Sequence, residues 1–138
     1  MPEDFPGPQH DEVGLLVDAA LNGLSPDART RAEVYLGWNA VADRYLATFE
    51  HGEDFAGSLD RHGAAPPQPH RHEQERAFFG FIVTGLACLE AAAYSVFALA
   101  TANDPRAFPF ATPLDRRRVS IEGTRDGLQR AHPGQSIT

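Results

Sequence analysis

The segment Ala77 to Ala102 constrains this chain more than any other. It reads AFFGFIVTGLACLEAAAYSVFALATA, apolar or small on every side, with one charge, Glu90, near its middle. Such a stretch must be hidden, either in a bilayer or in a protein interior. As a helix it would reach about 39 Å, enough for a hydrocarbon core of about 30 Å. Its ten Phe, Ile, Leu and Val residues favour insertion by roughly 3 to 6 kcal/mol, and a central carboxylate opposes it by about 3 kcal/mol. Insertion is near break-even, and Arg on both flanks sets no orientation. The remaining sequence supplies other apolar faces that need a partner. A membrane role is therefore not expected, and the segment reads as the central helix of a bundle.

Those other faces are legible as helical periodicity. Val13, Leu16, Val17, Ala20, Leu21 and Leu24 form one stripe, which predicts a helix over 11–24. Ser25-Pro26-Asp27 has the pattern of a helix start, with Ser as N-cap and Pro at the first position. A second helix over about 26–50 follows, with Tyr35, Trp38, Ala42, Tyr45 and Phe49 along one face. A short helix over 53–61 is conceivable before Gly63 and Pro66-Pro67-Gln68-Pro69 break the chain. The third helix spans about 71–102 and is stopped by Asn103-Asp104-Pro105. Phe108-Pro109-Phe110 reads as an apolar connector packed on the bundle. A weak helix over 120–131 is expected to suffer from Gly123 and Gly127, at about 1 kcal/mol each relative to Ala. No strand alternation or internal repeat appears. The expectation is an all-α helical bundle, one domain over 10–132, with flexible tails at 1–9 and 133–138.

A carboxylate inside an apolar helix must be neutral, or else paired and hydrogen-bonded. Glu90 is therefore the sharpest candidate for a buried polar or ligand-binding group, with Tyr94, Asn39 or Arg44 as candidate partners; the plainer reading is a polar peg that fixes helix register, or a residue that reaches solvent at a gap in the bundle. His62, His70 and His72 lie close together in sequence, with Glu73 and Glu75. His-x-His suits a metal only in an extended chain, because positions i and i+2 of a helix do not share a face. No metal and no cofactor are expected. The di-iron Glu-x-x-His pattern, the zinc-protease motif and the Gly-rich nucleotide loops are all missing. The chain has no Lys, hence neither a P-loop lysine nor Schiff-base chemistry.

Charge and cysteine usage exclude more. The net charge of −7 disfavours general nucleic-acid binding. Six acids and no base lie in 1–27, whereas six Arg cluster in 106–130, including Arg116-Arg117-Arg118, a solvated basic run. Cys88, the lone cysteine, permits no internal disulfide and reads as a small core residue. The acidic, Pro-rich start lacks the apolar region of a signal peptide, so a cytoplasmic location is expected.

Phe78-Phe79-Gly80-Phe81, Leu89-Glu90, Tyr94 and Phe108-Pro109-Phe110 together resemble uncharacterised bacterial helical proteins that are HEPN-like. The likeness covers roughly 30–132. It implies a helical bundle, association with nucleotides or RNA, and a dimer. In HEPN ribonucleases an R-x(4–6)-H element acts on RNA. Arg125 and His132 match that spacing, as do Arg44 and His51, and the resemblance makes Arg125 and His132 the candidate catalytic pair. The residues themselves favour a non-enzymatic interaction or assembly module. Three amphipathic elements give too little cover for a wholly apolar helix, which points to a homodimer. HEPN-like RNA association and a small-ligand pocket at Glu90 are the alternatives.

Overall fold

The computed structural model describes residues 8–117 and 119–134. They form five helices and no strand: α1 (Pro8–Leu24), α2 (Ala28–His62), α3 (Gln68–Asn103), α4 (Pro113–Arg117) and α5 (Ile121–Ala131). The all-α bundle expected from the sequence is therefore the fold. Helix α1 begins at Pro8, inside the range expected as a tail; the rest of that range, residues 1–7, lies outside the described residues, as do 135–138 and Arg118.

The dominant unit is an antiparallel hairpin of two long helices, α2 with 35 residues and α3 with 36. Their register follows from the contacts. Ser95 Oγ donates to the Val34 carbonyl, the Cys88 thiol to the Val41 carbonyl, and Thr48 Oγ1 to Thr84 Oγ1. Near the turn, Phe55 meets Phe78 and His62 stacks on His70. On α3 the inner positions are Gln74, Ala77, Phe81, Thr84, Cys88, Ser95 and Ala98, at heptad spacing. Most are small, so the backbones approach closely. A Cβ on Gly37 would lie 3.0 Å from the Ser95 backbone, and one on Gly80 would lie 2.7 Å from the His51 ring.

The second helix is longer than the sequence suggests. It runs without interruption through 51–62, and the short separate helix over 53–61 is simply its last part. It stops at Gly63, whose φ of 72° is open to a residue without Cβ. The Pro-rich run interrupts less than expected, because Pro67 caps α3 and Pro69 sits in its first turn, where a missing N–H costs nothing. The start of α2 also differs. Asp27, not Ser25, is the N-cap and accepts from the Thr30 N–H at 2.6 Å. Asp caps as well as Ser and adds a charge that suits the helix dipole. Ser25 instead closes α1, with φ 47° and its N–H on the Leu21 carbonyl.

Only the C-terminal end of α3 is covered on several sides. There α1, α5 and the 104–112 connector join the hairpin around Val17, Leu21, Val34, Phe97, Ala98, Phe108 and Phe110. The connector packs as expected. Asp104 Oδ1 accepts from the Arg106 and Ala107 N–H groups and folds the chain back. Phe108 then meets Phe97 edge-on, and Thr101 Oγ1 lies 3.0 Å from the Phe108 carbonyl. The helix α5 begins at its cap Ser120, which accepts from the Gly123 N–H.

The expectation that α3 is surrounded is not met. Gln68–Asn103 is long and apolar enough to cross a membrane, yet only 17% of its most apolar stretch is buried. Over its first two-thirds α3 has α2 on one side and solvent on the other.

Candidate functional site

The exposed side of α3 is a regular feature. Phe79, Ile82, Leu86, Leu89, Ala93 and Val96 recur at alternating spacings of three and four, the seam of a coiled coil. This seam lies across the helix from the small-residue seam that meets α2. Helix α3 is thus two-sided, with small residues toward its partner and large ones toward solvent. Phe79 is 69% exposed, Leu86 56% and Leu89 58%. Ala93, near the end, is reached by α5, since Thr124 Oγ1 donates to its carbonyl. On α1, Val13, Leu16 and Leu24 are exposed, so half of the stripe predicted on 11–24 is not core, and Leu15 adds further exposed apolar surface.

Glu90 is exposed and not the buried acid expected. Helical geometry turns it toward the edge of the α2–α3 interface, where water reaches it. It lines an open hollow of about 440 Å³ with Arg44, Ala87, Glu33 and Tyr94. Asn39 and Arg44, its expected partners, are exposed as well. Tyr94 does bond a carboxylate, but that of Glu33 on α2, at 2.8 Å.

Glu33 is better enclosed than Glu90, with its side chain 16% exposed. Its second oxygen accepts from Arg116 Nη1 on α4 at 2.8 Å. Burial raises its carboxyl, but the Tyr94 hydroxyl and the Arg116 guanidinium outweigh this and hold it below the usual range. Burial and the neighbouring Glu33 carboxylate push the Tyr94 phenol up to about 12. Arg116, expected in a solvated run, is therefore a structural clamp that ties α4 to α2. A similar pair ties α1 to α2: Tyr35 donates to Asp18 at 2.5 Å. That bond holds the Tyr35 phenol above its ordinary value.

No hydrogen bond or ion pair joins Arg125 to His132 among the described residues. Arg125 is held by Asp126 at 2.9 Å and by Glu122 at 3.7 Å. His132 is the C-cap of α5, with its N–H on the Leu128 carbonyl, and lines an apolar hollow with Leu24, Val96 and Leu128. Cys88 lies in the α2–α3 seam, where burial pushes its thiol up.

The histidines near the turn are arranged differently from the sequence expectation. His72 pairs outward with Glu75. His62 and His70 instead face each other across the turn, with ring centroids 3.8 Å apart, and Glu73 lies one turn on. A signal was present in the sequence, a His ending one helix and another opening the next, but only the hairpin register brings them together.

Set against family models, curated proteins and solved structures, the chain matches none, so the HEPN-like resemblance rests on its own residues.

Proposed function

We propose that this chain is a non-enzymatic assembly module that pairs with a second copy of itself through the exposed seam of α3. The observation that carries this reading is the three-and-four spacing of the exposed Phe79, Ile82, Leu86 and Leu89, continued by Ala93, which α5 reaches, and the exposed Val96. A seam of that period is self-complementary, since two such helices interlock their large residues about a twofold axis. The area is adequate. A large apolar side chain offers on the order of 100 Å² when half exposed, so the large residues of the seam and Phe78, six in all, give about 600 Å² per partner, the low end of a specific interface.

The same surface is a poor membrane span in this fold. Helix α2 lies against α3 along its length and carries Asp43, Arg44, Glu50, Glu53 and Asp54, all exposed. Inserting the hairpin would take those charges into hydrocarbon, at about 2.5 to 3.5 kcal/mol each.

The test is sedimentation of the full chain, without detergent, over a range of concentrations. The wild type should be a dimer, and Leu86→Arg with Leu89→Arg should be a monomer of unchanged helicity. A wild type still monomeric at about 100 µM overturns the reading. Recovery only in a carbonate-resistant membrane fraction overturns it in favour of a bilayer.

A further inference from the structure

We propose that the hairpin end of the bundle is a binding site for zinc or a similar imidazole-seeking divalent ion, held by His62, His70 and Glu73. Each offers one ligand atom, and the three atoms all lie within 4.8 Å of one another. The donors come from two helices: His62 is the last residue of α2, and His70 and Glu73 share the first turns of α3.

Two observations support a ligand set over a chance grouping. The His70 Nδ1 atom is buried and has no hydrogen-bond partner; the nearest carboxylate oxygen, from Glu73, is 3.6 Å away. A buried ring nitrogen left without a partner is costly in a site without another use for it. The two imidazole rings stack at 3.8 Å and 9°, and because imidazole nitrogens coordinate in the ring plane, a shared ion requires one ring to turn out of the stack. Finally, the frame is fixed. Gly63 makes the tight exit from α2, and the buried Gln74 donates from Nε2 to the Gly63 carbonyl at 3.0 Å. Ligands on helix ends braced in this way are held better than ligands on a loop.

The chemistry of the set selects the ion. Two imidazoles and one carboxylate suit zinc and its first-row neighbours and are too few oxygens for calcium or magnesium. Tetrahedral zinc at about 2.0 to 2.1 Å from nitrogen needs ligand atoms roughly 3.4 Å apart. The present atoms lie within 4.8 Å of one another, so the side chains must draw together on binding; His62 is half-buried and Glu73 exposed. Three protein ligands leave one position for water.

Calorimetric titration of the full chain with zinc chloride, and with magnesium chloride as control, tests this. The expected result is one zinc per chain, a dissociation constant on the order of micromolar, and no magnesium binding. His70→Ala and His62→Ala should each weaken zinc at least about 10-fold, with metal-free melting curves unchanged, whereas His72→Ala should bind as the wild type does. Glu73→Gln should weaken zinc while keeping the side-chain volume. Saturable binding that survives the His62→Ala/His70→Ala double substitution overturns the site, as does the absence of zinc binding. One zinc per two chains overturns it in favour of a bridge between copies.

Discussion

Glu33 shows how a residue's importance depends on what covers its helix. Its carboxylate receives the Tyr94 hydroxyl and the Arg116 guanidinium, both at 2.8 Å, and so joins α2, α3 and α4. Glu33→Ala should cost about 1.5 to 3 kcal/mol in urea unfolding, because it removes charge-assisted bonds and strands two polar groups. The pH dependence has two arms. Glu33 is depressed in the folded chain, so its contribution is full above its ordinary value of 4.5 and fades as the pH falls through the folded value. Tyr94 is raised from 10.0 to about 12, so its contribution is full below pH 10 and is lost between about 10 and 12. Tyr94→Phe should therefore flatten the alkaline arm of stability against pH. An unchanged alkaline arm in that variant would rule out the assignment. The sequence pointed elsewhere for a physical reason. Glu90 stands alone among apolar neighbours, whereas Glu33 sits among polar ones. Periodicity tells which residues share a face but not which face is covered. Tyr94 was legible as a partner for a carboxylate, but its acid lies 61 positions away on another helix.

Between elements, shape decides where local propensity misleads. The three long helices were legible because each carries a stop signal or an apolar period of its own. The extension of α2 to His62 was not, since its distal seam is weakly apolar and is stabilised by packing on α3. Helix α5 looked weak because of its glycines, yet Gly127 is where the Phe108 ring enters. A Cβ there would lie 2.5 Å from Phe108, which is 2% exposed and has no room to retreat. Gly127→Ala should therefore destabilise by about 1 to 3 kcal/mol, although helix propensity alone predicts a gain of about 1 kcal/mol. Gly23 in α1 is the contrast, because its Cβ would meet nothing within 4 Å. Gly23→Ala should stabilise by about 0.5 to 1 kcal/mol. Thermal melts of the two variants, compared with the wild type, separate packing from propensity. Equal shifts of the same sign would contradict this division.

The whole molecule is a long hairpin braced at one end. Around Leu21, Val34 and Phe108 it has a conventional core; beyond that, two helices stand together with the large residues of α3 in solvent. A two-helix unit with a small-residue seam buries little apolar surface, and two helices alone rarely form a stable fold. If a second copy covers the outer seam, assembly and folding of the distal half are linked, and stability depends on chain concentration. The wild-type melting temperature should rise with concentration over the range in which dimers form. Phe79→Ser with Leu86→Ser should abolish that dependence. Because both side chains are solvent-exposed in the single chain, the variant should match the dilute wild type in stability and lose only the concentration-dependent increment. A wild-type melting temperature that is flat from about 1 to 100 µM would mean that the distal hairpin stands without a second copy. The exposed seam would then need a different occupant.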